Sequence, residues 1–335
     1  MAVKVAINGF GRIGRMVLRA LIESGRDDVE VVALNDLAEP ESLAHLLKYD
    51  SVHGPFPGAV SAGERSIVIN DVNYPVFSER NPADLPWGEL GVDIVMECTG
   101  IFLTQDKAQA HIDAGAKKVL FSAPAKDDTK TVVFGVNHKI IESTDIFVSN
   151  ASCTTNALAP LLKVLNENYS VVSGIMTTVH AYTSNQPLHD SMGSDPYRAR
   201  AGAVSIIPTT TGAAKAIGKV LPELDGKMEG VAARVPVPNV SMVDLTVQIE
   251  KEVDADTIRS DFKKASMNGL KGVLAYVDEP LVSIDINHDA HSSNFAADQV
   301  YVTHSGLVRV MAWYDNEWGF SNRMLDTACV MAGLN

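Results

Sequence analysis

A glycine-rich turn near the start of the chain limits the possible folds more than any other feature. The strand pattern of Lys4 to Asn8 leads into Gly9-Phe10-Gly11-Arg12-Ile13-Gly14, and a helical pattern follows directly. In dinucleotide-binding βαβ units the first glycine allows the tight turn, the second lets a pyrophosphate approach the backbone, and the third allows close helix packing. A second predicted strand, Glu30 to Leu34, leads to Asp36, whose carboxylate can accept hydrogen bonds from an adenine ribose. The sequence therefore predicts a dinucleotide site, and the carboxylate favours NAD over NADP because it repels a 2′-phosphate.

Short strands and helices alternate over residues 1–150, which predicts an α/β domain with a parallel sheet of the Rossmann type. Further strands are predicted at Asp93 to Met96, Lys117 to Phe121 and Asp145 to Val148, with a helix near Asp106 to Ala114. Over residues 151–317 the pattern changes to long alternating runs, typical of an α+β catalytic domain with a mostly antiparallel sheet. These runs are Ser170 to His180, Gly230 to Val237, Val240 to Ile249, Leu281 to Ile286 and Leu307 to Tyr314. The last helix, 318–335, is expected to pack back onto the first domain.

Composition and charge narrow the possible partners. The chain has a formal net charge of −13, with 41 acidic and 28 basic residues, so a nucleic acid would be repelled. No run approaches the roughly 18 to 20 apolar residues of a membrane-spanning helix. The N-terminus does not have the pattern of an export signal, so we expect a cytoplasmic protein without membrane contact. Three widely separated cysteines, Cys98, Cys153 and Cys329, argue against a disulfide framework, and only His288 and His291 have ligand-like spacing, so no metal site is expected.

One of these cysteines lies where a strand pattern ends and a helical pattern begins. In the stretch from Ser149 to Asn156, Ser152 is a candidate N-cap, which places Cys153 in the first helical turn. A thiolate there is stabilised by free amides and the helix dipole, so we expect its pKa to fall. His180, at the end of the next long strand, is a candidate proton acceptor. The polar segment from Ala181 to Pro208 that follows predicts a long functional loop.

Five stretches of the chain stand out as motifs. They are Ala6-Ile7-Asn8-Gly9-Phe10-Gly11-Arg12-Ile13-Gly14-Arg15, Ser149-Asn150-Ala151-Ser152-Cys153-Thr154-Thr155-Asn156, Pro208-Thr209-Thr210-Thr211-Gly212-Ala213-Ala214-Lys215, Arg234-Val235-Pro236-Val237-Pro238-Asn239 and Trp313-Tyr314-Asp315-Asn316-Glu317-Trp318-Gly319. In this order and spacing they resemble the signature motifs of the phosphorylating glyceraldehyde-3-phosphate dehydrogenases. The similarity extends from one end of the chain to the other.

The resemblance implies an activity and a role for each matching residue. It implies an NAD-dependent oxidoreductase, glycolytic or gluconeogenic, that uses inorganic phosphate to convert D-glyceraldehyde 3-phosphate to 1,3-bisphosphoglycerate, and that assembles as a homotetramer. Cys153 would form the thiohemiacetal and thioester, and His180 would be its base. NAD would contact Gly9, Gly11, Arg12, Ile13, Gly14, Asp36, Arg80, Ser122 and Asn316, the last through the nicotinamide amide. Substrate and phosphate would contact Ser152, Thr154, Thr183, Arg198, Thr211, Gly212 and Arg234.

The chain departs from the family at three places, and two alternatives stay open. Asn185 stands where relatives often have aspartate, Ala157 where many have a second cysteine, and Ser191-Met192 where many strictly NAD-dependent relatives have Leu-Pro. One alternative is an erythrose-4-phosphate dehydrogenase, which hydrolyses its thioester and shares stretches such as Ala44 to Asp50. The other is a non-catalytic NAD-binding protein that offers its surface to partners. The intact residues Cys153, His180 and Arg234 argue against this second alternative.

Overall fold

A computed structural model describes residues 2–334, which form two compact units. The first unit contains the chain up to Phe134, His138–Ala151 and the chain from Ser321 onwards. The second contains Gly135–Asn137 and Ser152–Phe320. The predicted boundaries, after residues 150 and 317, differ from this division by a few residues.

The first unit alternates strands and helices as far as residue 149. In chain order its elements are β1 (Val3–Asn8), α1 (Arg12–Ser24), β2 (Val29–Asn35), α2 (Pro40–Lys48), β3 (Val60–Gly63), β4 (Ser66–Ile69), β5 (Val72–Phe77), α3 (Trp87–Leu90), β6 (Ile94–Glu97), α4 (Gln105–Asp113), β7 (Lys118–Phe121), β8 (Lys130–Thr131) and β9 (Phe147–Ser149). The sequence patterns predict seven of these elements to within a few residues, but they miss α2, the meander β3–β5, α3 and β8.

Within residues 2–334, the strands of this unit form one nine-stranded sheet in the order β3-β4-β5-β2-β1-β6-β7-β9-β8. From β5 to β8 every neighbouring pair is parallel, whereas β3, β4 and β5 pair antiparallel. This confirms the Rossmann-type prediction. Asn8 at the end of β1 pairs with Asn35 at the end of β2, so the glycine turn and Asp36 leave the sheet at the same edge.

The second unit is built on a sheet with long strands. Its elements are α5 (Cys153–Tyr169), β10 (Val171–Ala181), β11 (Ile207–Thr210), α6 (Ala213–Val220), β12 (Met228–Val235), β13 (Ser241–Ile249), α7 (Ala255–Met267), β14 (Leu274–Val277), β15 (Ser293–Ala296), β16 (Tyr301–Val302) and β17 (Leu307–Tyr314). The main strand order is β11-β12-β10-β13-β17-β15-β14. β10 pairs parallel with β12, and β14 with β15, while the other pairs are antiparallel. The mostly antiparallel sheet is thus confirmed.

Three segments complete the description. The strand predicted at Leu281 to Ile286 is wrong: the chain forms a 3₁₀ turn at Ser283–Ile286, and the Asp285 carboxylate accepts the Val282 N–H at 2.9 Å. Residues 182–206 form no helix or strand, as the missing periodicity predicts. The last helix, α8 (Trp318–Met331), belongs to the first unit from Ser321 onwards. Within residues 2–334, no helix combines the length and apolar character needed to cross a bilayer.

Candidate active site

The glycine turn has the geometry that a dinucleotide site requires. Gly9 has a φ of +92°, in the left-handed region, and a Cβ there would lie 2.8 Å from the amide nitrogen of Thr99. A Cβ on Gly14 would collide with the carbonyl oxygen of Gly9, so only glycine lets α1 pack this closely. Around Gly11, no described atom lies within 4 Å of the Cβ position, and the backbone is open to a ligand. The turn therefore forms a cradle that fits the pyrophosphate of NAD.

The N-terminus of α1 adds positive potential at this cradle. Gly11 is its N-cap, no side chain of the described residues caps it, and its first turn contains no acidic residue. Uncapped amides at a helix N-terminus favour a bound anion. Ile13 is half-buried in the same turn, and Arg12 forms an ion pair with Asp50. Burial opposes the charge on Asp50, but the Arg12 guanidinium and nearby amides lower the pKa of that carboxyl to about 2.

Asp36 lies at the end of β2, beside the glycine turn. Its Oδ2 accepts the backbone N–H of Phe10 at 2.8 Å, and its Oδ1 accepts that of Ala38 at 3.1 Å. The side chain is half-buried, so the carboxylate can still accept bonds from a ribose. Two other predicted NAD contacts also follow parallel strands of this sheet. Arg80 lies exposed beyond β5, and Ser122 directly follows β7.

A buried polar network that none of the sequence motifs predicts holds this edge of the sheet together. The fully buried carboxylate of Glu97 accepts hydrogen bonds from Asn8 Nδ2 at 2.6 Å and from the backbone N–H of Thr99 at 2.8 Å. Asn8 Oδ1 in turn accepts a bond from Asn35 Nδ2 at 2.7 Å. The Nε2 of His111 lies 3.2 Å from the same carboxylate. Polar residues at the ends of three apolar strands were the available signal, because parallel strands end at one edge.

The thiol lies at the start of α5, within the second unit. Ser152 is the N-cap, and its Oγ accepts the backbone N–H of Thr155 at 3.0 Å. Cys153 is therefore the first helical residue, as the sequence predicts. Cys153 is half-buried, and its Sγ lies 3.5 Å from Nε2 of His180, which is only 4% exposed.

Strand register sets Arg234 beside this histidine. β10 pairs in parallel with β12, and His180 is directly opposite Arg234. Nδ1 of His180 lies 2.7 Å from the Ala181 carbonyl oxygen and 2.9 Å from NH1 of Arg234, which also donates to that oxygen at 2.9 Å. Because a carbonyl only accepts and an arginine only donates, the shorter contact favours a proton on Nδ1. Nε2 then has a free lone pair directed at the thiol, which suits a base.

Burial changes the expected protonation of this pair. Desolvation raises the pKa of the Cys153 thiol, although Arg234 acts in the opposite direction. Desolvation and then Arg234 lower the pKa of His180 to about 3. The expectation that the pKa of Cys153 falls is therefore wrong. The loss of water outweighs the helix N-terminus, and at neutral pH the pair consists of a neutral thiol and a neutral imidazole.

The other two thiols are less reactive by the same reasoning. Burial, reinforced by the Glu97 carboxylate, raises the pKa of Cys98 to about 12. Burial and a bond to Asp28 raise the pKa of Cys329 to about 12. Neither of these thiols has a histidine within hydrogen-bonding distance among the described residues. Cys153 is thus the thiol with a proton acceptor in place.

Most of the predicted phosphate-binding residues lie near the ends of helices or strands of the second unit. Thr211 precedes α6, and its Oγ1 accepts the Ala213 N–H at 3.2 Å, while Gly212 is the N-cap. Arg198 reaches from the long loop and donates from Nε to Thr209 Oγ1 at 2.8 Å. Burial and, to a smaller extent, the nearby Arg198 lower the pKa of Arg234. Among the described residues, no carboxylate pairs with Arg234. The guanidinium groups of Arg198 and Arg234, of which only Arg198 pairs with a carboxylate of the described residues, can together attract an anion.

Two members of the predicted set have contacts that the sequence does not show. Thr183 follows β10, and its backbone N–H donates to Gln186 Oε1 at 3.0 Å. Thr154 is buried, and its hydroxyl lies 2.9 Å from the hydroxyl of Tyr314.

Asn316 is oriented by a neighbouring serine in the same unit. Its Oδ1 accepts a bond from Ser241 Oγ at 2.9 Å, and Ser241 Oγ accepts the Ala181 N–H at 3.0 Å. The amide NH₂ group of Asn316 is therefore the end that can reach a ligand.

Together these features define a class of protein. One unit can bind a dinucleotide, and the other places a thiol beside an imidazole. These are the features that an NAD-dependent oxidoreductase acting on aldehydes requires. A family model described as "Glyceraldehyde 3-phosphate dehydrogenase, NAD binding domain" matches residues 3–105. A second, described as "Glyceraldehyde 3-phosphate dehydrogenase, C-terminal domain", matches residues 152–316. The chain therefore belongs to the glyceraldehyde 3-phosphate dehydrogenase family, and its cofactor is NAD.

Full-length relatives agree with this assignment. The chain is 57% identical over 334 residues to a glyceraldehyde-3-phosphate dehydrogenase of Xanthobacter flavus, which covers 100% of both chains. It is 54% identical over 334 residues to one from Cereibacter sphaeroides, again covering 100% of both. It is 53% identical over 333 residues to one from Geobacillus stearothermophilus, covering 99% of both. The resemblance seen in the five motifs is confirmed.

The position of Asp36 predicts the cofactor preference. We expect Asp36→Asn to raise the NADP-to-NAD ratio of kcat/KM by roughly fivefold. The repulsion of two charges about 4 Å apart in solvent is about 1 kcal/mol, and the amide oxygen can still accept the Phe10 N–H. Asp36→Ala is the matched variant. It also loses the contact with the Phe10 N–H, so we expect it to bind both cofactors more weakly than Asp36→Asn does. Equal use of NAD and NADP by the wild type would contradict the role of Asp36 and point to Ser191-Met192.

The thiol–imidazole contact predicts a distinctive pH dependence. We expect limiting alkylation, followed by peptide mapping, to label Cys153 and abolish activity. In the wild type the thiol proton can pass to the imidazole of His180 as the sulfur attacks, a path that needs no free thiolate. The imidazole is neutral throughout pH 6 to 8 because its pKa is about 3, so the wild-type labelling rate should change little over that range. In His180→Asn the rate should be lower at pH 7 and rise by about tenfold per pH unit, because only free thiolate reacts. Exposed His189→Asn is the control, and inactivation by labelling at Cys98 or Cys329 would overturn the assignment.

Proposed function

We propose that this chain catalyses the oxidative phosphorylation of D-glyceraldehyde 3-phosphate to 1,3-bisphosphoglycerate, with inorganic phosphate as the acyl acceptor. The observation that carries the proposal is the line of three groups in the second unit. Cys153 Sγ lies 3.5 Å from His180 Nε2, and His180 Nδ1 lies 2.9 Å from Arg234. This line supplies a nucleophile, a base and a cation for a phosphorylated substrate. The names of the full-length relatives support the same reaction.

The first step is addition of the thiol to the aldehyde. Sγ of Cys153 forms a bond to the carbonyl carbon while His180 Nε2 takes the thiol proton. The imidazolium that results has a low pKa, so it returns the proton readily to the new alkoxide oxygen. The product of this step is a neutral thiohemiacetal attached to Cys153.

The second step oxidises the thiohemiacetal. When bound, NAD supplies the acceptor for the hydride that leaves the former aldehyde carbon. His180 takes the proton of the thiohemiacetal hydroxyl as the carbon–oxygen double bond re-forms. Cys153 is then held in a thioester, which keeps the free energy of oxidation available for acyl transfer.

The third step releases the product and restores the thiol. A phosphate oxygen attacks the thioester carbon, the carbon–sulfur bond breaks, and the thiolate recovers its proton from His180. Ser152, Thr154, Thr211 and Gly212 are the proposed ligands of the attacking phosphate. Hydroxyl and amide donors can hold a phosphate without neutralising the oxygen that must react. Thr183 and Arg234 are the proposed ligands of the phosphate of the substrate, with Arg198 assisting from the long loop.

The proposed cofactor contacts rest on the cradle in the first unit. Gly9, Gly11 and Gly14 would hold the pyrophosphate backbone, with Arg12 and Ile13 in the first turn of α1. Asp36 would bind the adenine ribose, while Arg80, Ser122 and Asn316 would complete the set. The open space over Gly11 and the uncapped amides of α1 support this proposal.

We also propose a homotetramer located in the cytoplasm. The long loop exposes five large apolar side chains, which are Leu188, Met192, Tyr197, Val204 and Ile206. On the sheet of the same unit, Ile175 is 54% exposed and Val231 is 49% exposed. Exposed apolar surface on this scale is typical of protein–protein contacts, and a second copy of the chain is the occupant that the family resemblance implies.

The role of Arg234 can be tested with two substrates. We expect Arg234→Ala to lower kcat/KM for glyceraldehyde 3-phosphate by roughly 30- to 1000-fold, which corresponds to losing about 2 to 4 kcal/mol from a buried charged contact. Unphosphorylated glyceraldehyde has no phosphate for Arg234 to bind, so we expect its kcat/KM to fall less. That smaller fall measures the effect of Arg234 on His180. Equal losses for both substrates would show that Arg234 acts on the imidazole and not on the substrate phosphate.

The role of inorganic phosphate separates this function from the alternatives. Without phosphate we expect a burst of about one NADH per Cys153, because the thioester forms but is not released. Adding phosphate should restore steady turnover, measured as NADH absorbance. Steady turnover without phosphate, yielding a free acid, would identify the hydrolytic erythrose-4-phosphate type. NAD binding without turnover on either aldehyde would indicate the non-catalytic alternative.

A further inference from the structure

A single phenol hydroxyl connects the two elements that carry the thiol and the imidazole. Tyr314, the last residue of β17, has its hydroxyl oxygen 2.9 Å from Thr154 Oγ1 and 2.8 Å from Thr178 Oγ1. Thr154 follows Cys153 in the first turn of α5, and Thr178 lies two residues before His180 on β10. The hydroxyl of Tyr314 is therefore a crossbar between the helix start and the strand end.

The crossbar is shielded from water. Tyr314 and Thr178 are each 1% exposed, and Thr154 is 5% exposed. A buried hydroxyl that loses its partner cannot recover the bond from bulk solvent, so the two contacts resist separation of α5 from β10. Each hydroxyl has one hydrogen, and the Tyr314 oxygen can donate to one threonine while it accepts from the other.

The ring of Tyr314 also restrains the imidazole directly. Its centroid lies 5.9 Å from that of the His180 ring, and the two planes meet at 78°. This edge-to-face arrangement is favourable and limits rotation of the imidazole. The same side chain thus contacts the base through its ring and the residue after the nucleophile through its hydroxyl.

We propose that Tyr314 is a positioning residue for the reaction, which sets the distance between Cys153 Sγ and His180 Nε2 through its bonds to Thr154 and Thr178. The inference rests on the proposed function, because it concerns the thiol and base of that mechanism. The Thr154 hydroxyl, which is also a proposed phosphate ligand, forms one of the two bonds of the crossbar.

Tyr314 acts by geometry and does not exchange protons. Burial and the adjacent Cys153 raise the pKa of its hydroxyl far above neutrality, so it stays protonated. The charged groups that influence the thiol–imidazole pair are Arg234 on β12 and, through Arg234, Arg198 on the long loop. Neither is bonded to the Tyr314 hydroxyl, so removing that hydroxyl leaves the local charges unchanged.

The test compares two tyrosine-to-phenylalanine variants of the holoenzyme. In Tyr314→Phe we expect the alkylation rate of Cys153 at pH 7 to fall roughly ten- to a hundredfold, as for small misplacements of reacting groups. Its rate should also rise with pH between 6 and 8, where the wild-type rate changes little. NAD affinity and the KM for NAD should stay within about twofold, while kcat falls. Tyr169→Phe is the matched control, because Tyr169 lies at the other end of α5 and donates its hydroxyl to Asp261. It should leave the pH profile unchanged.

One arm of the crossbar provides a second test that does not depend on the folding of Tyr314→Phe. Thr178→Val removes one hydroxyl with little change in volume, and Thr178→Ser restores it. We expect Val to slow alkylation and add pH dependence, and Ser to return both towards wild type. Wild-type profiles in both Thr178→Val and any folded Tyr314→Phe would overturn the crossbar. Failure of the proposed function would be seen separately in the wild type, as steady turnover without phosphate or as no turnover on either aldehyde.

Discussion

The parallel pairing of β10 with β12 is the constraint on which the chemistry of the second unit depends. It places His180 opposite Arg234, and the antiparallel neighbours β13 and β17 then bring Tyr314 to the same end of the sheet. Side chains alternate between the two faces of a strand, so a slip by one residue would turn His180 away from Cys153. The site therefore depends on the register of four strands as much as on the identity of its residues.

The first unit uses strand ends in a comparable way. Parallel strands all present their carboxyl ends at one edge, and there Asn8 donates to Glu97 and accepts from Asn35. The Glu97 side chain is fully buried, and its oxygens accept bonds from several donors, which compensates for the loss of water. This network fixes the residue before Gly9. The Asp36 carboxylate, which accepts the Phe10 N–H, holds the turn from its other side.

The sequence was informative where a motif and its local context lie close together in the chain. The strand–glycine turn–helix pattern predicted the cradle, and the serine before Cys153 predicted the helix cap. What it could not show depends on distant packing. Thr154 and Tyr314 are 160 residues apart, so their contact leaves no local pattern. The pKa of Cys153 was predicted in the wrong direction because burial, unlike a helix start, cannot be seen in a short motif. The false strand at Leu281 to Ile286 failed for a similar reason: its apolar residues alternate, yet Ile284 is 70% exposed.

Burial of the thiol and imidazole has opposite consequences for the resting and reacting states. In the resting state it keeps both groups neutral, which avoids an uncompensated charge in a site of low dielectric constant. During addition the same low dielectric strengthens the attraction between the new imidazolium and the alkoxide. Arg234 favours the thiolate but disfavours the imidazolium, so it weakens His180 as a base and strengthens it as an acid. A proton taken from the thiol is therefore held weakly, and its return to the alkoxide is favoured over its storage on the ring.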